Sequence, residues 1–172
     1  MISAISFPRP VKLRPSGTVL VEVAFVLVVL LGFIFLIFDV SWALFAKATL
    51  QHAVLSGVRY AVTSQTATSG GTQLGQVASI KQVVQQQSMG YLSASDLNSF
   101  VSVSFYSVAS ATPLQVTGTG ANAAGNLVVV SVNGFNLNPL APFMRSSAPV
   151  LINASSGDLI ESSGTGGIPP PL

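Results

Sequence analysis

Residues 17–38 read GTVLVEVAFVLVVLLGFIFLIF, and this stretch decides the architecture of the chain. From residue 19 to residue 38 it is apolar except for Glu22, and Gly32 is the only glycine within that run. Twenty helical residues, at about 1.5 Å each, span the roughly 30 Å hydrocarbon core of a bilayer. The sequence therefore predicts a transmembrane helix, which we assign to residues 18–40.

The residues that flank this helix predict its orientation. Arg9, Lys12 and Arg14 precede it, and Lys or Arg close to a span is retained on the cytoplasmic side. We therefore expect a cytoplasmic N-terminus and a C-terminal head on the other side of the membrane. Asp39 and Trp42 then fall at the outer membrane interface, which suits a hydrated carboxylate and an amphipathic indole.

The composition of the 172-residue chain excludes several classes of protein. Only 7% of the residues are charged, against roughly 25% in an ordinary soluble domain, so an open disordered chain is excluded. The 7 Lys and Arg exceed the 5 Asp and Glu by two, but three of these cations precede the span, so no basic patch for nucleic acid remains. The absence of cysteine excludes disulfides, thiolate metal sites and cysteine nucleophiles.

Helical periodicity continues beyond the span. Apolar residues recur at spacings of three, four and seven, which predicts an amphipathic extension of the helix over residues 41–65. Small polar residues and glycines at 66–72 predict a connector. A second, shorter helix is expected over about residues 73–89, with Gly90 as its stop.

The pattern then changes from a helical period to a period of two. Alternation at 101–106, a β-branched run at 126–133 and an apolar segment at 149–155 predict strands. The fold class is therefore α+β: a long N-terminal helix, a shorter helix and a small antiparallel sheet of about three to four strands. The α+β head covers residues 73–161, and residues 162–172 are expected to form a flexible tail.

The junction at residues 12–22 carries the functional signal. A basic leader ends at Gly17, and a lone glutamate, Glu22, follows five residues later inside the apolar run. A carboxylate in a span is unfavourable by on the order of a few kcal/mol near the bilayer centre, so it is a candidate functional residue by default.

This junction resembles the class III signal of type IV pilin-like proteins, which a prepilin peptidase cuts after the glycine on the cytoplasmic side. The resemblance implies cleavage between Gly17 and Thr18, with residues 1–17 as a cytoplasmic leader peptide. Glu22 would then be the fifth residue of the mature chain. In this superfamily such a glutamate pairs with the freed amino group of a neighbouring subunit, an attraction that a low-dielectric layer strengthens.

A longer match, over about residues 17–63, is to the TadE-like proteins of the tight adherence (Tad, or Flp) pilus system. Asp39 ends the span as in that family, and Gly57-Val58-Arg59-Tyr60-Ala61 looks like its Gly-Ala-Arg-Tyr-Ala signature, with Val58 in place of alanine. A weaker similarity lies at residues 150–161, where a predicted strand is followed by a glutamate, as tends to be the case at the end of proteins in that family. The proline often found within the span of the family is absent here.

The resemblance implies a structural minor pilin, or pseudopilin, that acts in Flp pilus biogenesis and is not an enzyme. Its implied location is the bacterial inner membrane, as a single-pass protein with a periplasmic head, either retained there or incorporated in the pilus. The implied partners are prepilin peptidase, other Tad minor pilins, the Flp pilin and the inner-membrane assembly platform. Nucleic acid and small-molecule substrates are not expected.

The polar residues of the helix extension allow two interpretations. Arg59 and Tyr60 are candidates for docking the long helix onto the head, or they form a solvent-exposed edge with packed stems. His52 is the only histidine, and without a second histidine or a cysteine it completes no metal site. The sequence also lacks a Gly-x-Ser-x-Gly elbow, so we expect no catalytic residues and no cofactor.

A different processing site gives the alternative hypothesis. Ser41-Trp42-Ala43 fits the small-x-small pattern of ordinary signal peptidase, which would release a protein that begins at Leu44. The apolar run is longer than the roughly 7 to 15 residues of an ordinary signal peptide. The alternative hypothesis is a signal-anchored or secreted periplasmic binding domain unrelated to pili, and this cleavage would give its secreted form.

Overall fold

The N-terminal helix α1 (Gly17–Val62) is a single uninterrupted element of 46 residues, about 69 Å long. The fold is that of a computed structural model, which describes residues 17–139, 149–161 and 169–172. The predicted leader lies outside these residues except for Gly17. The predicted span and its helical extension are parts of one helix, because no proline and no turn-forming sequence interrupts residues 17–62.

Burial divides α1 into two halves. No residue between 17 and 45 is buried. In the second half the buried residues recur at spacings of three and four, which is the period of one helix face. They are Ala46, Thr49, Leu50, Ala53, Val54, Gly57, Val58 and Ala61. Only this second half therefore contributes to the core of the head.

The connector and the second helix differ in detail from the sequence prediction. A short hairpin of β1 (Thr68–Ser69) and β2 (Thr72–Gln73) occupies part of the predicted connector. Its turn residues Gly70 and Gly71 have φ angles of 58° and 83°, the positive values that a type I′ turn requires. Helix α2 (Gln76–Gln87) is shorter than predicted and is followed by α3 (Asp96–Phe100), a helix that periodicity did not indicate.

Four strands form one antiparallel sheet, in the order β4-β3-β5-β6. They are β3 (Val101–Ser107), β4 (Leu114–Val116), β5 (Leu127–Leu137) and β6 (Val150–Leu159). The α+β class and the small antiparallel sheet are thus confirmed. The sequence did not indicate β4, because a three-residue edge strand is too short to show alternation.

Strand β5 extends past the point where the sequence predicted its end. The register shifts between Val132 and Phe135, so one extra residue bulges from β5. Gly134 lies in this bulge with φ 66°, and its N–H donates to Asn153 Oδ1 at 2.7 Å. A glycine in the left-handed region is what such a bulge requires, so Gly134 bends the strand without ending it.

The core lies between the second half of α1, helix α2 and one face of the sheet. Helix α1 packs on β6, on α2 and on β5. The sheet contributes alternate residues, which face the helix because successive strand residues point to opposite sides. The main buried residues of the sheet and of α2 are Val128, Val130, Val132, Ile152, Ala154, Ile80 and Val84.

Candidate functional site

The first half of α1 is an apolar helix surface with no cover. None of the residues in its most apolar stretch is buried within the described chain. Exposed valine, leucine, isoleucine and phenylalanine side chains continue from Val19 to Phe45. A surface of this length and composition fits a single-pass membrane anchor.

The predicted processing and pairing residues lie together at the start of this surface. Gly17 is the first residue of α1, and Thr18 follows it within the helix. Glu22 lies about one turn further and is exposed. In the described part of the chain its carboxylate contacts no cation, so an amine from another molecule could reach it.

The predicted interface residues lie where α1 approaches the head. Asp39 is half-buried and lines a groove between the helix and the start of β6. The Trp42 ring is not among the residues that line this groove, and its centroid lies 5.8 Å from that of Tyr91 and 6.3 Å from that of Phe45. Burial raises the pKa of the Tyr91 hydroxyl. The head thus meets α1 at the level that the sequence assigned to the membrane interface.

The structure gives the residues of the Gly57 motif distinct surroundings. Gly57, Val58 and Ala61 are buried, Tyr60 is half-buried against the core, and Arg59 is exposed. Burial raises the pKa of Tyr60. The half-buried ring of Tyr60 contributes to the contact between helix and head, whereas the position of Arg59 fits an exposed edge.

Gly57 allows helices α1 and α2 to approach closely. A Cβ atom built on Gly57 would lie 2.6 Å from Val84 Cγ2 and 3.5 Å from Ile80 Cγ2. Real Cβ atoms essentially never approach another carbon as closely as the first of these distances. The glycine of the motif is therefore explained by its packing against α2.

A buried polar cluster, which the sequence did not reveal, joins distant parts of the head. Gln76 Nε2 donates to the Ala61 carbonyl at 3.0 Å, and Gln76 Oε1 accepts from Asn122 Nδ2 at 2.6 Å. The same amide group of Asn122 also donates to the Pro170 carbonyl at 2.8 Å. No local pattern could indicate these contacts, because the partners are separated by 15, 46 and 48 residues in the sequence.

The end of the chain is part of this cluster. The backbone N–H of Gln76 donates to the Pro171 carbonyl at 2.7 Å, so the tail supplies the acceptor for the first turn of α2. The sequence predicted a flexible tail over 162–172. Within that segment, the described residues 169–172 pack on the head, while residues 162–168 lie outside the described part.

The described residues present no arrangement typical of a metal centre. Over 17–139, 149–161 and 169–172 no group of three or more His, Asp or Glu residues could hold a metal ion. His52 is exposed on α1. The most distinctive surface of the described chain is instead the apolar half of α1 with Glu22 upon it.

Comparison with known proteins identifies this same part of the chain. Residues 17–59 match the family model described as TadE-like protein. No curated protein and no solved structure matches the chain. The matched segment begins at Gly17 and ends at Arg59, so it contains the apolar half of α1 and most of the buried face. The chain is therefore similar to TadE-like proteins over residues 17–59, and this similarity supports an association with the Tad pilus.

Proposed function

We propose that the chain is a TadE-like minor pilin that prepilin peptidase matures and that acts in Flp pilus biogenesis. One observation carries this proposal: the TadE-like match begins at Gly17, the residue after which the leader would be cut. Cleavage there would leave Thr18 at the free end of an exposed apolar helix.

In this proposal Glu22 acts between subunits. Its carboxylate lies on the exposed apolar surface about one turn from Thr18. In a low-dielectric layer, an ammonium group from the N-terminus of a neighbouring subunit would attract it more strongly than in water. This pairing would set the axial register of packed helices, with the pilus machinery as partner and the periplasmic head presented to other subunits.

The N-terminus of the exported protein tests this proposal. We expect intact mass and Edman sequencing of the protein purified from membranes to give Thr18 as first residue. Substitution of Gly17 by a bulky residue should leave the full-length precursor. A first residue of Leu44 would contradict the proposal and support the secreted domain. The continuous helix through Ser41-Trp42-Ala43, with Trp42 packed on Tyr91, favours retention of this segment.

A further inference from the structure

We propose that the end of the sheet next to α1 forms a second membrane contact, which reaches the outer leaflet beside the helix. This contact, here named the sheet tip, consists of Pro139 after β5 and of Val150 and Leu151 at the start of β6. The inference rests on the membrane anchorage proposed for α1 and adds a lipid-facing surface on the head.

The sheet tip lies beside the apolar half of α1. A groove of about 520 Å³ separates them, and its helix side includes Leu36, Val40 and Leu44. Leu36 lies within the predicted span. Ala46, where the buried face of α1 begins, is about 15 Å further along the helix than Leu36. The sheet tip therefore reaches below the core of the head, to the level that we assign to the membrane.

The side chains of the sheet tip suit contact with lipid. Val150 and Leu151 have 45% and 61% of their surface exposed, whereas Ile152 next to them is buried. Leu151 points to the same side as Asn153 and Ser155, since alternate strand residues share a face. Leu159, at the far end of β6, is also an exposed leucine. Leu151 therefore differs from Leu159 in its position along the axis of α1, close to the predicted membrane level, and not in residue type.

Polar neighbours limit the depth of this contact. Asn136 is exposed and lies opposite Leu151 in the register of β5 and β6, and Asp39 and Lys47 line the groove. An amide or a charge is costly in hydrocarbon but tolerated among headgroups. Trp42, on the same stretch of helix, is a residue type enriched at this boundary. The sheet tip would thus lie at the boundary between headgroups and acyl chains.

The experiment uses two properties of the sequence: one tryptophan and no cysteine. Leu151→Cys, and separately Leu114→Cys and Leu159→Cys as controls, are labelled with an environment-sensitive fluorophore and placed in vesicles at low protein-to-lipid ratio. Leu114 is 69% exposed and Leu159 50%, and both lie at the far end of the sheet, about 27 Å or more from Leu151 along the strand direction. Lipids that are brominated near the carbonyl end of the acyl chains then quench the fluorescence of any label that contacts them.

We expect the label at residue 151 to be quenched several-fold more than those at residues 114 and 159. In the unlabelled variants, a membrane-impermeant maleimide should react more slowly at residue 151 than at the two controls. Equal quenching and equal reactivity at the three sites, with Trp42 quenched, would overturn the sheet-tip contact and leave the anchor intact. Trp42 fluorescence insensitive to brominated lipid would instead contradict the anchorage and, with it, this inference.

Discussion

At the scale of single residues, Gly57 connects the TadE-like motif to the packing of the head. In the interior of a helix, alanine is normally more favourable than glycine by about 1 kcal/mol. At this position the added methyl would meet Val84, and overpacking of a core costs about 1–3 kcal/mol. The packing cost exceeds the helix preference over most of this range, so the glycine is a requirement of the α1–α2 contact.

Gly57→Ala should therefore destabilise the head by up to about 2 kcal/mol, the difference between the packing cost and the helix preference. In a Val84→Ala background the same change should be neutral or stabilising, because the opposing Cγ2 atom is gone. Urea unfolding of the full chain in micelles measures both. Gly32→Ala is the control, since no atom lies within 4 Å of its added Cβ. Equal effects of Gly57→Ala in both backgrounds would refute the close approach.

A second residue-scale prediction concerns Asp96 at the start of α3. Its carboxylate accepts hydrogen bonds from the Ser93 hydroxyl and from the Ser93 backbone N–H, and these bonds, the hydroxyl first, lower the pKa of Asp96. A lowered folded pKa contributes stability above the unfolded value, and this contribution is lost as pH falls through the folded pKa.

Asp96→Asn should accordingly be less stable than the parent chain at neutral pH. The two proteins should converge as pH falls below about 4, the ordinary range of an Asp carboxyl. Thermal unfolding of the full chain in micelles, measured against pH, checks this. A difference between the two proteins that stays constant down to pH 2 to 3 or so would show that the hydrogen bonds do not depend on the charge.

At the scale of elements, the start of α2 depends on the end of the chain. Gly75 precedes this helix and provides no side-chain cap, so the Pro171 carbonyl accepts from the Gln76 N–H. A Cβ atom on Gly75 would overlap the backbone oxygen of Leu172. Glycine at this position thus leaves room for the tail.

Removal of residues 169–172 should destabilise the head by about 1–3 kcal/mol, because the Gln76 backbone N–H loses its acceptor and the Asn122 side-chain amide loses one of its two acceptors. Gly75→Ala should be destabilising in the full chain and near neutral in the shortened one. Unfolding curves of the four proteins, with hydrogen exchange at the Gln76 amide, measure this. Full protection of that amide in the shortened chain would contradict the proposed cap.

At the scale of the whole molecule, α1 separates Glu22, the residue that we propose acts in assembly, from the folded head. Glu22 lies about 36 Å along the helix from Ala46, where the buried face begins. A change at Glu22 should therefore leave the packing of the head unaltered, so any effect on the pilus must come from contacts with other molecules.

Glu22→Ala and Glu22→Gln should permit insertion, cleavage after Gly17 and normal unfolding of the head, but should reduce or abolish piliation. Electron microscopy of surface fibres and the N-terminal sequence of the exported chain are the measurements. Asp158→Asn, which removes an exposed carboxylate from the head, is the control and should leave piliation intact. Normal fibres in Glu22→Ala would refute the pairing role.

The sequence by itself determined the features that arise from neighbouring residues. The apolar run, the continuous helix and the three longer strands follow from local periodicity, since side-chain spacing along one element decides which face is buried. The TadE-like resemblance was likewise visible along both halves of α1, over about residues 17–63. The position of Glu22 within the apolar run also made it a candidate functional residue, because a carboxylate is unusual in such a run whatever the tertiary structure.

Only the tertiary structure decided which distant residues meet. The Gln76–Asn122–Pro170 cluster, the fit of Gly57 against Val84 and the level of the sheet tip beside Leu36 each join segments that are far apart in sequence. Local patterns cannot encode such pairs, because each depends on how helices and strands pack once formed. Packing likewise decides that Tyr60 is half-buried against the core while its neighbour Arg59 is exposed.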